Sequence, residues 1–167
     1  MLVKENLYKS SKNLSLGAWK TNVTQNGNIV EATKIDEFSI CAYIPRFNLS
    51  NDMQEGETYT LNFDFQKLIG EEIIVHPAFV VDKRAYIKDG ELKNLKFKGT
   101  HKSDNGNLDI VSPKDEKIKF MVRNLVLSKG EEFPDLWIPS KEDLKYPELY
   151  PVKVPGGGTE FTEIKPL

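Results

Sequence analysis

Apolar and polar residues alternate with a period of two along most of this chain, and turn residues separate the alternating runs. In the clearest run, Glu57 to Phe65, every second residue is apolar: Tyr59, Leu61, Phe63 and Phe65. The residues between them are polar: Thr58, Thr60, Asn62 and Asp64. This pattern predicts a β-strand with one face in a core and the other facing solvent.

Further runs of the same kind predict an all-β chain. The predicted strands are Asn28 to Thr33, Phe38 to Ile44, Ile73 to Val81, Ala85 to Lys88, Leu92 to Gly99, Leu108 to Val111 and Lys117 to Leu127. In the second of these, one face is expected to hold Phe38, Ile40, Ala42 and Ile44. Asn26-Gly27 and Asp89-Gly90 are typical hairpin turns, and the latter predicts that its two flanking strands pair.

Two strands carry predicted irregularities. Ile73 to Val81 is apolar on both faces apart from His76 and Pro77, which predicts a strand covered on both sides, with the proline at a bulge or an edge position. In Lys117 to Leu127 the apolar residues first occupy even-numbered positions, up to Val122, and then odd-numbered positions, Leu125 and Leu127. A slip of one moves side chains to the opposite face, so a β-bulge is expected near Asn124.

Eight or nine short strands without intervening helices indicate an antiparallel β-sandwich of the jelly-roll type. After Gly130 the composition changes, because six of the nine prolines lie in the remaining stretch. We therefore expect a sandwich domain over residues 1–143 and a Pro/Gly-rich extension over 144–167. The proline-rich stretch either runs extended over the sandwich or leaves it as a linker.

Composition and charge exclude several classes of protein. The net charge of −2 gives no reason to expect a nucleic-acid partner, and the local cluster of Lys93, Lys96, Lys98 and Lys102 is interpreted as a solvated strand face. No apolar run approaches the length of a membrane span, and the N-terminus does not have the pattern of a signal peptide. The single cysteine, Cys41, allows no internal disulfide and is expected to be half-buried.

No motif in the sequence supports catalysis. His76 and His101 are the only histidines, and neither has the spacing of a nucleophile–base pair. The carboxylates are interpreted as solvated turn residues, so no enzyme activity and no cofactor are predicted. Oxygen-bearing side chains around Gly106 leave calcium as the weaker alternative to a simple Asx turn: Asp104, Asn105, Asn107 and Asp109.

Aromatic residues supply the candidate binding site. Trp19 and Trp137 are interpreted as anchors of irregular segments, whereas Tyr43 and Tyr86 either cover sheet edges or form platforms for the C–H faces of a sugar. Polar side chains beside such platforms bind hydroxyl groups. The predicted ligand-binding residues are Tyr43, Arg46, Asn62, Asp64, Arg84 and Tyr86.

Three motifs resemble known modules. Asn6-Leu7 followed by Gly17-Ala18-Trp19, and then the run Gly56 to Leu61, resemble the opening and the central strand of carbohydrate-binding-module-like domains. Val122 to Leu125, Lys129-Gly130, Trp137, Pro139 and Glu142-Asp143 are similar to a strand and tail of phage tail proteins. Leu127-Ser128 departs from the Leu-Glu that is common there.

The resemblance implies a non-catalytic jelly-roll module in the tail or baseplate of a phage that infects Gram-positive bacteria. It implies cell-wall polysaccharide and other tail proteins as partners, and a place in a virion tail that assembles in the host cytoplasm. The alternative is a structural module of the baseplate that binds no sugar.

Overall fold

The computed structural model describes residues 7, 16–45, 53–80, 83–102 and 106–134. All regular structure in these ranges is β-strand. The ten strands are β1 (Gly17–Trp19), β2 (Thr21–Asn26), β3 (Ile29–Lys34), β4 (Ile40–Pro45), β5 (Thr58–Ile69), β6 (Ile73–Pro77), β7 (Ala85–Ile87), β8 (Lys93–Thr100), β9 (Asn107–Ser112) and β10 (Lys117–Lys129). Among the described residues there is no helix with the length and hydropathy needed to cross a membrane.

The strands form two five-stranded antiparallel sheets. We call the sheet with the order β1-β4-β9-β6-β7 the front sheet and the sheet with the order β2-β3-β10-β5-β8 the back sheet. The inward-facing apolar residues of both sheets form one core, whose largest side chains are Tyr59, Phe63, Phe65, Phe79 and Phe120. The predicted all-β jelly-roll sandwich is confirmed.

The alternation in β5 is confirmed in detail. Tyr59, Leu61, Phe63 and Phe65 lie fully in the core, because residues of one parity in a strand face the same side. In β4 the inward set is Ile40, Ala42 and Ile44, but Phe38 lies before the strand and is 42% exposed. The prediction that Phe38 belongs to the inward face is therefore wrong.

The expected bulge lies in β10. The register against β5 shifts between Arg123 and Val126, and Asn124 has a φ of 56°. Beyond this point Leu125 and Leu127 are buried on the inward face, as the parity slip predicted.

In β6, Ile73 and Val75 lie in the core, whereas Ile74 and His76 face outward and are half-buried. Pro77 ends the strand and is opposite Leu108 of β9, while β7 pairs only with Ile73 to Val75. The proline is thus the last residue of an interior strand and not on an edge strand, and it is tolerated because β7 does not extend to it and no ladder needs its missing N–H there.

The predicted hairpin at Asp89-Gly90 is wrong, since β7 pairs with β6 in the front sheet and β8 pairs with β5 in the back sheet. The turn itself forms: the Glu91 N–H donates to Asp89 Oδ1 at 3.1 Å. It carries the chain from one sheet to the other. Asn26-Gly27, in contrast, forms the expected turn and closes a hairpin between β3 and β2, a strand that the sequence did not predict.

The proline-rich segment lies outside the described residues from position 135 onward, and with it Trp137. The domain boundary at 143 therefore stays a prediction.

Candidate functional site

The outward surface of the front sheet, which we call the front face, carries a row of polar residues. Tyr43 of β4 is opposite Gly17 of β1 on one side and Asp109 of β9 on the other, and Asp109 is opposite His76 of β6. Side chains of directly opposed residues share a face of the sheet. Tyr43, Asp109 and His76 therefore lie side by side across three strands.

A second row, two residues further along each strand, is mainly apolar. Strand register aligns its members across all five strands: Trp19, Cys41, Val111, Ile74 and Tyr86. The two end residues are the most exposed, with Trp19 at 52% and Tyr86 at 55%. Four interstrand steps of about 4.8 Å separate their strands, so the two aromatic rings mark a surface about 19 Å wide.

Tyr43 owes its position to the glycine opposite it. A Cβ atom on Gly17 would overlap the tyrosine ring at Cε2, Cζ and the hydroxyl oxygen. The ring therefore lies flat over the glycine backbone, on the edge strand of the sheet. Any side chain at position 17 would force the ring to move.

The pKa of the Asp109 carboxyl is subject to opposing effects. Burial raises the pKa of its carboxyl, and the nearby charges of His76 and Arg84 lower it by less, so that the net pKa lies above the ordinary value. His76 Nδ1 is 4.0 Å from Asp109 Oδ2. The pKa of the Cys41 thiol is also raised, by burial and by the charge of Asp109. A raised thiol pKa opposes nucleophilic chemistry at this cysteine.

One polar atom of the row lacks a partner. His76 Nε2 is buried and has no hydrogen-bond partner within the part of the chain that the structure describes. Buried polar atoms without a partner are uncommon in folded proteins, and they often lie where a water or a ligand binds.

Of the six residues predicted to bind a ligand, three lie on or beside the front face. These are Tyr43, Tyr86 and Arg84, which directly precedes β7 and is close enough to Asp109 to affect its pKa. Arg46 lies outside the described residues.

Asn62 and Asp64 are on the outward side of the back sheet, where Asn62 is buried and its Oδ1 has no hydrogen-bond partner among the described residues. Asp64 accepts hydrogen bonds from Asn94 Nδ2 at 3.0 Å and from Asn124 Nδ2 at 2.8 Å. Its carboxylate is also 3.4 Å from Arg123 Nε. The core separates these residues from the front face, so the six predicted residues do not form one site.

Trp19, which the sequence favours as the anchor of an irregular segment, faces outward on β1 and packs in a T-shaped arrangement with Phe38 at a centroid distance of 5.3 Å. It is not among the predicted ligand-binding residues. Lys20 Nζ lies 3.3 Å from the centroid of Phe38. The spacing of two residues between Gly17 and Trp19 predicts that both face the same side of a strand. A three-residue strand is too short, however, for alternation to show which side faces outward.

No group of three or more His, Cys, Asp or Glu side chains is arranged to hold a metal ion within the described ranges. Asp104 and Asn105, half of the suggested calcium ligands, lie outside those ranges.

Comparison with solved structures finds two kinds of protein. The tripod from the baseplate of bacteriophage Tuc2009 aligns with a TM-score of 0.51 at 14% identity, covering 84% of this chain and 60% of that chain. The N-terminal cellulose-binding domain of β-1,4-glucanase C from Cellulomonas fimi aligns with a TM-score of 0.47 at 13% identity, covering 71% and 90%. A family 29 carbohydrate-binding module from Piromyces equi aligns with a TM-score of 0.39 at 13% identity, covering 77% and 91%.

The tripod alignment shows a shared sandwich fold, and this chain spans about 60% of the tripod chain's length. No protein-family model matches the chain, and no curated protein matches it in sequence.

Proposed function

We propose that the front face binds a carbohydrate and that the chain is a non-catalytic adhesion module of a phage tail, which attaches to host cell-wall polysaccharide. One observation carries this proposal. Three aromatic side chains, Trp19, Tyr43 and Tyr86, lie on the same outward sheet surface, and a polar row lies beside them.

The arrangement suits the chemistry of sugars. A pyranose ring presents flat C–H surfaces, which pack on exposed aromatic rings, and a rim of hydroxyl groups, which needs fixed donors and acceptors. Asp109 offers acceptor oxygens and Arg84 offers donors. His76 Nε2, which has no partner among the described residues, offers one further hydrogen bond. A surface about 19 Å wide is larger than one monosaccharide, which favours a chain of linked sugars.

The carboxylates of the front face are badly placed for glycoside hydrolysis. Asp109 is the only carboxylate within the described strands of the front sheet, and Glu72 directly precedes β6. Glu72 is four residues from His76, the residue opposite Asp109, which is about 13 Å along the strand. A hydrolytic pair needs its carboxyl groups roughly 5 to 10 Å apart. Glu72 is instead paired with Lys88 at 3.2 Å.

The phage context rests on the sequence motifs, and the fold shared with a baseplate protein is consistent with it. A shallow site on an open sheet holds a sugar chain weakly. Several copies on one tail raise the effective concentration at the cell surface, so weak sites together give firm but reversible adhesion. In this proposal the protein is part of the virion tail, assembles in the host cytoplasm and contacts other tail proteins.

The test uses the full chain fused to a fluorescent protein. We expect the fusion to label host cells, and purified wall polysaccharide to displace it. Trp19→Ala combined with Tyr86→Ala should reduce labelling at least tenfold. Leu68→Ala is the matched control, since Leu68 is a large apolar residue that is 41% exposed on the other sheet.

The same experiment with a chelator decides the calcium question, because a calcium-dependent site would lose its labelling. Unlabelled cells from every Gram-positive host tried, or equal labelling by the double variant, would refute sugar binding at the front face.

A baseplate module that binds protein instead of sugar is the second candidate. The exposed Trp19 and Tyr86 favour it as well, because aromatic residues are enriched at protein interfaces. Ile73 and Val75 lie in the core and are not available to such an interface. This candidate predicts that the double variant loses a tail-protein partner in a pull-down while wall polysaccharide has no effect.

A further inference from the structure

The two sheets end in four edge strands, and three of these are protected against pairing with another chain. β1 and β7 have only three residues each. β8 carries Lys93, Lys96 and Lys98. Short length and lysine side chains are the usual means by which proteins keep sheet edges from pairing.

The fourth edge strand, β2, has none of these protections. Its six residues, Thr21 to Asn26, include no charged residue and no proline. Its register against β3 runs without a bulge from Thr21↔Lys34 to Asn26↔Ile29. It is the longest uncharged edge within the described strands, and Asn22 and Thr24 to Asn26 are exposed.

The backbone of β2 has groups available for another strand. Asn26 and Ile29 close a two-residue turn, so they form a hydrogen-bonded pair, as do Thr24 and Glu31. The N–H and C=O groups of the intervening Val23 and Gln25 therefore face away from β3. In the described part of the chain these groups have no backbone hydrogen bond.

We infer that β2 is a dimerisation edge, on which a second copy of this chain pairs its own β2 in antiparallel register. The two-fold axis passes beside Thr24. Val23 of each copy exchanges two hydrogen bonds with Gln25 of the other, and each Thr24 lies opposite its counterpart. The two back sheets then form one continuous ten-stranded sheet, which is within the range seen in natural proteins.

The side chains of β2 are compatible with pairing to the β2 strand of a second copy. Every cross-strand pair on this edge is uncharged, and a Thr–Thr pair on one face of a sheet is favourable. An isologous two-fold contact of this kind closes on itself, so it produces a dimer and not a fibre. The same pairing on β8 would bring lysines of both copies together.

Sedimentation velocity of the full chain over a wide concentration range tests the dimer. We expect the parent chain to reach twice the mass of one chain, and Thr24→Lys to remain at the mass of one chain, because two lysines would face each other on the axis. Thr100→Lys makes the same substitution on the lysine-bearing edge β8 and should leave the dimer unchanged.

Cysteine cross-linking tests the register. Opposed residues that are not hydrogen-bonded to each other have Cα atoms about 4.5 Å apart, within disulfide reach, so oxidised Thr24→Cys should form a covalent dimer. Asn22→Cys is the control, since the two Asn22 positions would lie about 13 Å apart.

A parent chain that stays monomeric, a Thr24→Lys chain that still dimerises, or equal cross-linking of both cysteine variants would overturn the inference. Polysaccharide binding by the monomeric Thr24→Lys chain is measured separately, so the outcome for the dimer does not depend on the proposed function.

Discussion

A buried ammonium group holds one end of the sandwich together. Lys67 of β5 is 9% exposed, and its Nζ donates to the carbonyl oxygens of Gly70 and Glu71 at 2.7 Å each and to that of Lys88. Gly70 and Glu71 begin the connection from the back sheet to the front sheet, and Lys88 begins the return. A buried cation is tolerated only when its donors are satisfied, and here they tie the two crossing segments together.

Asp115 belongs to the same end of the molecule and provides a pH-dependent prediction. Burial raises the pKa of its carboxyl, but this is outweighed by hydrogen bonds from Ser112 Oγ and from the N–H groups of Glu71 and Glu72, and by the charge of Lys67. The net pKa lies below the ordinary value. The stabilisation is therefore complete above the unfolded-state pKa of about 3.9 and is lost as the pH falls through the folded-state pKa.

We therefore expect Asp115→Asn to lower the free energy of unfolding at pH 7 by about 1 kcal/mol, since the carboxylate is partly exposed. The difference from the parent chain should shrink when the pH falls below about 4. Urea unfolding at several pH values measures it. Glu116→Gln, a neighbouring change at a largely exposed side chain, should give a small difference at every pH. A difference for Asp115→Asn that grows in acid would contradict this account.

At the scale of single residues, the sequence predicts burial best in long strands, where every second residue faces the core. Tyr59 and Phe63 are in the core because alternation fixes their side. Phe38 and Trp19 lie where a short strand meets a turn, and there one residue of displacement changes the face. The role of Lys67 cannot be predicted from the sequence, because its three acceptors are backbone carbonyl groups, and one of them belongs to Lys88, 21 residues further along the chain.

Among the strands, β10 contains a β-bulge that changes which of its residues face the core. Asn124 has the left-handed φ of 56°, which asparagine tolerates better than most residues, and its side chain donates to Asp64 of β5. The bulge moves Leu125 and Leu127 into the core while Arg123 stays outside. One residue thus accommodates a shift between two apolar patterns in a single strand.

Substitutions at Asn124 should separate two contributions to stability: the tolerance of a left-handed backbone conformation and the side-chain hydrogen bond to Asp64. Asn124→Gly keeps the backbone conformation and loses the hydrogen bond to Asp64, at a cost of about 1 kcal/mol. Asn124→Val adds the strain of a β-branched residue at positive φ, for a total of about 2 to 4 kcal/mol. Thermal or chemical unfolding measures both. Equal costs for glycine and valine would show that the backbone at this position is not strained.

Turn dipeptides in the sequence predict where the chain turns, but they do not predict which strands pair. Asn26-Gly27 and Asp89-Gly90 are equivalent as sequence signals, and both positions turn. The first closes a hairpin because its flanking strands share the back sheet. The second lies at a corner, where Gln66 Nε2 and Lys67 Nζ contact the carbonyl oxygens of Gly90 and Lys88 and hold the crossing segment. Pairing depends on these long-range contacts, which a dipeptide does not encode.

For the molecule as a whole, the two outward surfaces differ in the aromatic side chains that their strands expose. On the back sheet, ionic and polar side chains bind each other, as in Lys117–Glu31 at 2.7 Å and in the contacts of Asp64. On the front face, Trp19 and Tyr86 are exposed. Buried polar atoms without a hydrogen-bond partner among the described residues occur on both surfaces: His76 Nε2 on the front face, and Asn62 Oδ1 and Arg123 Nε on the back sheet. The sequence predicts that Tyr43, Arg84 and Asp64 all face outward, but the assignment to different sheets follows from strand order, which alternation does not reveal.

This asymmetry predicts opposite effects for changes on the two surfaces. Asp64→Ala removes acceptors for Asn94 and Asn124 and should lower the free energy of unfolding by about 1 to 2 kcal/mol while leaving ligand affinity unchanged. Tyr86→Ala removes an exposed ring, which should leave stability within about 0.5 kcal/mol of the parent and weaken binding.

The measurement is a thermal unfolding curve with and without wall polysaccharide, because a ligand that binds only the folded state raises the midpoint. The parent chain and Asp64→Ala should show equal shifts from different starting midpoints, whereas Tyr86→Ala should start at the parent's midpoint and shift less. If Asp64→Ala abolished the shift and Tyr86→Ala preserved it, the ligand would be bound on the back sheet, where Asn62 and Asp64 lie. The sandwich core thus supports both surfaces, and within the described strands the strongly exposed aromatic residues, Trp19 and Tyr86, lie on the front face.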